Sequence, residues 1–136
     1  MKNVNIWLID DDEVYVHVTK KVLDHLSENI AVVSFDDGEN AITQLKKCIQ
    51  EDLELPGIIL LDINMPVLDG WGFLAEFQKL KANLTSSIKI YMVTSSKDQR
   101  DRSKAKEFKE LSDYLVKPVF EDQLVTILTD CYGDDW

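Results

Sequence analysis

Glycine, proline and cysteine are all scarce in this chain: five, three and two residues out of 136. So few turn-forming residues leave no linker, repeat array or low-complexity tract, and no break at which a second domain would start. The glycine-rich, lysine-bearing turn that cradles nucleotide phosphates after a first strand is missing, and a run of acids stands in its place. That excludes a P-loop nucleotide site, and a flavin phosphate pocket at the same turn fails for the same reason. No apolar run approaches the roughly 18 residues needed to cross a bilayer, so no membrane association is expected. The N-terminus lacks a basic region followed by an apolar one, the mark of a secretion signal. Positive charge is in deficit, with 15 Lys and Arg against 25 Asp and Glu and a formal net charge of −10. Gripping a phosphate backbone needs a basic face, so direct nucleic-acid binding is not expected. The two cysteines, Cys48 and Cys131, fall on apolar helical stripes. In a chain that reads as cytoplasmic they are expected as buried free thiols, not as a disulfide.

What is present suits one soluble domain spanning residues 1–136, with a short acidic tail at 133–136. Hydrophobic residues make up 45% and charged ones 29%, and the length suffices for a full core. The organising stretch runs from Gly57 to Pro66. Ile58-Ile59-Leu60-Leu61 reads as a strand buried on both faces, and Asp62 follows at its carboxyl end. Earlier, Val4 to Ile9 is a strand running into Asp10-Asp11-Asp12-Glu13. Asp12 and Glu13 suit the start of a helix, where acids meet the positive end of the macrodipole; Asp10 and Asp11 are left unexplained. The first helix is expected to bury Tyr15, Val18, Val22 and Leu26, with Lys20 and Lys21 opposite.

Ile30 to Phe35 is the second strand. Ala41, Leu45 and Cys48, flanked by Ile42 and Ile49, mark the second helix. Asp69-Gly70 signals a turn and an N-cap for a third helix, whose face is Phe73, Leu74, Phe77 and Leu80. Ile88 to Val93 is a fourth strand ending in Thr94-Ser95-Ser96. Lys97 to Glu110, highly charged, predicts a weakly held helix with only Ala105 and Phe108 to bury. Tyr114 to Val116 is a short fifth strand before Lys117-Pro118. Phe120, Leu124, Ile127, Leu128 and Cys131 then form a last helical stripe. Strands alternating with helices predict an α/β, doubly wound (βα)5 flavodoxin-like three-layer sandwich with a parallel sheet of order 2-1-3-4-5.

That order gathers Asp10, Asp11, Asp62, Thr94 and Lys117 at one sheet edge, where ligands of open α/β sheets bind. Three bare carboxylates there repel one another, and a hard divalent cation such as Mg²⁺ removes the conflict. A cation site, a lysine and a hydroxyl together suit a phosphoryl group. Asp62, on the central strand, is the natural nucleophile for an aspartyl-phosphate. A haloacid-dehalogenase-like phosphohydrolase needs a second Asp two residues beyond its nucleophile; here that position is Asn64. His17 and His25 have no supporting constellation and are expected at or near the surface, and Trp7 and Trp71 in packing. Trp136 is expected as a frayed or docked tail.

The ordered set Asp10-Asp11, Leu61-Asp62-Ile63-Asn64-Met65-Pro66 with Asp69-Gly70, Val93-Thr94-Ser95 and Val116-Lys117-Pro118 resembles the receiver domain of two-component response regulators. The resemblance covers nearly the whole chain and is to the stand-alone, chemotaxis-regulator-like type. It implies that Asp62 accepts a phosphoryl group from a histidine kinase or a histidine phosphotransfer protein, with Mg²⁺, or Mn²⁺ in its stead, as cofactor. By the same resemblance Asp11 ligates the metal directly, Asp10 through water, and Asn64 through its backbone carbonyl. Lys117 pairs with the phosphoryl oxygens, and its bond to Pro118 is cis. Thr94 and Tyr114 match the switch pair, the hydroxyl moving toward the phosphate as the ring turns inward. Ser95 stands where the family often carries alanine, and Asn64 and Ser96 at sites that tune the lifetime of the phosphorylated state. The domain would act on no separate substrate, catalysing only its own phosphorylation and dephosphorylation. Output would pass to an unidentified protein target through the fourth helix, fifth strand and fifth helix, from a monomer or a phosphorylation-dependent dimer. The alternative is a pseudo-receiver that binds partners without phosphorylation.

Overall fold

A computed structural model describes residues 3–136. Strands β1 (Val4–Ile9), β2 (Ile30–Phe35), β3 (Ile58–Leu61), β4 (Lys89–Thr94) and β5 (Leu111–Val116) alternate with helices α1 (Glu13–Leu26), α2 (Gly38–Gln50), α3 (Gly70–Leu80), α4 (Gln99–Ala105) and α5 (Glu121–Tyr132). All pairings are parallel, and the sheet order is β2-β1-β3-β4-β5, as the alternation of elements predicted. The fold is the flavodoxin-like doubly wound sandwich.

Period-two alternation sorts the strands' side chains into two cores. Trp7, Ile9, Ile59, Leu61, Ile90 and Met92 pack under α2 and α3 with Ala41, Leu45, Phe73 and Phe77. Ile6, Leu8, Ile58, Leu60, Tyr91 and Val93 pack under α1 and α5 with Leu23, Leu124, Ile127 and Leu128. All four residues of β3 are buried, which is why that strand has no polar position. Each such aliphatic contributes about 1.5–3 kcal/mol by leaving water.

Aspartates start four helices. Asp12, Asp37, Asp69 and Asp98 each accept a backbone N–H from the first turn, at 3.1, 2.8, 2.8 and 2.9 Å. Part of the acid surplus is therefore N-capping, worth about 1 kcal/mol per cap. At α5 the Gln123 side chain instead accepts from the Phe120 N–H at 2.8 Å.

Several local expectations need correcting. Val18 does not share the buried stripe of α1; it is 54% exposed, and Thr19 and Leu23 are the fully buried positions. Phe120 caps α5 at 63% exposure instead of joining its core face. Helix α4 covers only Gln99–Ala105, the chain turning before Phe108 stacks on Trp71 at 5.6 Å. With six charged or polar residues and one buried alanine, it lacks the apolar face that would extend it. Strand β5 starts earlier than read, at Leu111. Cys48 is buried and Cys131 half-buried, both as free thiols. His17 and His25 lie at the surface. Trp7 is core, and Trp136 docks against the α1 and α5 side. No helix among the described residues is long and apolar enough to cross a membrane.

Candidate functional site

The parallel ladders run one residue past the strand ends and so assemble the site. Asp10 N–H donates to Phe35 O at 2.9 Å, Asp62 N–H to Ile9 O at 2.9 Å and Lys117 N–H to Thr94 O at 2.8 Å. The first residue after each of β1, β3 and β5 is thereby fixed in register at the carboxyl edge of the sheet. Asp10, Asp62 and Thr94 are buried, an expensive position for carboxylates unless they are partnered.

The partner is Lys117. Its ammonium lies 2.8 Å from Asp10 Oδ2, 3.6 Å from Asp62 Oδ2 and 3.9 Å from Asp12 Oδ2. The Lys117–Pro118 bond is cis, as expected. Asp10 Oδ1 accepts from Asp12 N–H at 2.9 Å and Asp62 Oδ1 from Ile63 N–H at 2.8 Å, so each buried carboxylate keeps one oxygen tied to backbone. Burial raises the Asp10 carboxyl to about 6, only partly offset by Lys117 and the Asp12 N–H, with Asp62 adding to the rise. Burial pulls the Lys117 ammonium the other way, but the Asp10 hydrogen bond and the Asp10, Asp62 and Asp12 charges prevail and hold it above its usual value.

Asp10, Asp11 and Asp62 each offer a carboxylate oxygen, all within 4.8 Å of one another. Asp11 is exposed, so the cluster opens toward solvent on one side. Hard oxygen donors with room for water are what Mg²⁺ selects, and the donor set fits that ion. Asn64 is exposed on the loop that follows. Behind this loop the α3 entry is close-packed. A Cβ on Gly70 would fall 2.3 Å from Asp62 O, so only glycine lets α3 approach the phosphoacceptor candidate this closely.

Thr94 and Tyr114 are linked through Ser96. Ser96 N–H donates to Thr94 Oγ1 at 3.3 Å, and Tyr114 O–H donates to Ser96 O at 3.1 Å. Ser96 Oγ in turn donates to Asp101 Oδ2 at 2.6 Å, tying the loop to α4. The role of Asp101 was invisible in the chain order because it depends on where one turn of a short helix lands.

The carboxyl-edge cluster of two buried acids, an exposed acid, a lysine and a buried threonine on a 2-1-3-4-5 sheet agrees with what known proteins show. The sequence matches the family described as "Response regulator receiver domain" over residues 6–129. The chain belongs to that family. A probable transcriptional regulator of Cyanophora paradoxa is 34% identical over 119 residues, covering 86% of this chain and 44% of that protein. The receiver thus spans less than half the length of that curated relative. A two-component response regulator from Cytophaga hutchinsonii shares the fold at a TM-score of 0.84 and 24% identity, covering 98% of this chain and all (100%) of that one. The receiver domain of a sensor histidine kinase from Pseudomonas aeruginosa superposes at a TM-score of 0.78 with 26% identity, over 97% and 99% of the two chains. That structure has a magnesium ion coordinated in its active-site cleft.

Proposed function

We propose that this receiver accepts a phosphoryl group on Asp62 from a histidine kinase or histidine phosphotransfer protein and relays the event through α4, β5 and α5. One observation carries the reading: the Lys117 ammonium reaches Asp10 and Asp62 together at 2.8 and 3.6 Å, beside carboxylate oxygens spaced for one cation. Asp10, Asp11, Asp62 and the Asn64 backbone carbonyl would hold Mg²⁺, or Mn²⁺. That ion supplies charge neutralisation for the transferring phosphoryl oxygens.

The rest is done by the chain's own groups. The Ile63 N–H fixes the Asp62 carboxylate through Oδ1, leaving Oδ2 as the attacking oxygen. An Oδ2–phosphorus bond forms as the bond from phosphorus to the donor breaks, and the donor leaves with that electron pair. Lys117 moves its hydrogen bond from the carboxylates to a phosphoryl oxygen. Thr94 turns its hydroxyl toward the phosphoryl group and releases the Ser96 N–H, and Tyr114, bonded to the same residue, follows. Val14 and Val18 on α1 and Phe120 at the head of α5, 74%, 54% and 63% exposed, are apolar side chains that a docking donor protein can cover. The chain acts on no separate substrate in this reading.

Incubation with Mg²⁺ and acetyl phosphate, followed by intact mass spectrometry, tests the proposal. The native chain gains one phosphoryl group and the Asp62→Asn variant gains none. An equal gain in both overturns Asp62 as the acceptor, and no gain in the native chain favours the pseudo-receiver instead.

A further inference from the structure

We propose that Tyr15 is a positioning residue whose ring face steers the Lys117 ammonium toward Asp62. The inference rests on the phosphoacceptor reading above and adds a group that reading does not need. The Lys117 Nζ lies 4.5 Å from the centroid of the Tyr15 ring, within the range where an ammonium is drawn to the negative face of an aromatic. The lysine side chain is only 12% exposed, so water screens this attraction little.

A lysine stem has many rotors and needs several constraints to aim it. Among the carboxylates the shortest contact is to Asp10 at 2.8 Å, not to Asp62 at 3.6 Å. Asp10 is also one of the three acids placed to share a cation. Once Asp10 serves a cation, its pull on the ammonium weakens. The ring carries no net charge and binds no hard cation, so its hold persists through that exchange. Tyr15 supplies the constraint that remains when the carboxylates are occupied.

The ring is itself held. Tyr15 lies in the first turn of α1, where its N–H donates to the N-cap Asp12 Oδ1 at 3.1 Å, and the other oxygen of that carboxylate faces the same ammonium at 3.9 Å. One cap therefore aligns both ring and charge. The phenol oxygen is buried, and the polar side chain it faces is Thr19, one turn along the same helix. The face of the ring, not the hydroxyl, is the working part. Tyr15→Phe should be silent, and loss of the ring should not.

The test uses Tyr15→Phe, Tyr15→Leu and Tyr15→Met, the last keeping bulk in case leucine leaves too large a hole. Two readouts are followed at saturating Mg²⁺: the ring-current displacement of the Lys117 ε-methylene proton resonances, and the rate of phosphorylation by acetyl phosphate. Phenylalanine is expected to keep both. Leucine and methionine lose the displacement and slow phosphorylation about fivefold, and a separate Mg²⁺ titration gives an unchanged midpoint, since the ring is not a ligand. Leucine and methionine variants phosphorylated at the native rate overturn the proposal, as does a phenylalanine variant as slow as they are. If the native chain takes up no phosphate, the phosphoacceptor reading falls by itself. The resonances then decide the Tyr15 contact, and Lys117 protons that do not move between tyrosine and leucine overturn it.

Discussion

Val67, in the loop between β3 and α3, has φ at 67°, a region that β-branched side chains avoid. Leu68 N–H donates to Pro66 O at 2.7 Å across it, closing a three-residue γ-turn of the strained, positive-φ kind. The turn is held from outside, because Gly38 N–H donates to Leu68 O at 2.9 Å and Gly70 N–H to Ile63 O at 2.8 Å. The valine side chain is 80% exposed, so replacing it removes almost no packing. Val67→Asn, which tolerates this backbone region, should therefore stabilise the fold by about 1 kcal/mol. Urea unfolding checks this; a lower midpoint would show that the valine methyls hold something the strain offsets. A reader of the chain has no access to this turn. Met65-Pro66 followed by Asp69-Gly70 marks a loop, but a valine argues locally for extended backbone, and only the bonds from Gly38 and Gly70 override it. Asp10, Asp62 and Lys117 were legible for the opposite reason. Each follows directly on a strand, buried in the case of the two acids, and parallel register carries it to the same edge without help from any loop.

At the level of elements, helices with a continuous apolar stripe were legible and those without one were not. Ala41, Leu45 and Cys48 define α2 because they bury one face under the sheet. Helix α4 has only Ala105 fully buried, so its length is set by caps and side-chain contacts that periodicity does not encode. In α1 the stripe Tyr15, Val18, Val22 and Leu26 keeps helical spacing, but the fully buried positions are Thr19 and Leu23, so the helix turns a neighbouring face to the sheet. What secures the start of α4 is Ser96, which donates to Asp101 at 2.6 Å and accepts from Asp98 N–H at 3.3 Å. Ser96→Ala removes both contacts and leaves a half-buried carboxylate short of a donor, a loss of about 1–2 kcal/mol. The effect should stay local. Amide hydrogen exchange across residues 99–105 is expected to quicken by about tenfold, with α3 protection unchanged. Equal protection in native and variant chains would mean that the Asp98 cap alone anchors the helix.

On the scale of the whole molecule, the site opposes the fold that carries it. The Asp10 carboxyl is raised from 3.8 to about 6 chiefly by burial, so the folded chain binds that proton more tightly than the unfolded one. Stability gained this way is complete below the unfolded value near 3.8 and is lost as pH rises through about 6. Without divalent metal the protein should be more stable at pH 5 than at pH 7, by about 1 kcal/mol. Lys117 does not disturb this window, since its own raised value lies above 10.5 and its contribution is lost only in alkali. Glu110 has a lowered carboxyl, held chiefly by Gln78, and its contribution disappears as pH falls below the 4.5 region. Magnesium held as proposed above should remove the slope. It would bind the deprotonated acids, so its stabilisation, RT ln(1 + [Mg²⁺]/Kd), grows as Asp10 ionises and offsets the loss. Urea midpoints at pH 5, 6 and 7 should fall with pH in chelator and stay higher and nearly level in saturating Mg²⁺, because neither the folded nor the unfolded chain then holds the Asp10 proton. Asp10→Asn should flatten the fall seen in chelator. Parallel slopes with and without the metal would show that the ion is held elsewhere, and that the paired acids at the carboxyl edge are not its site.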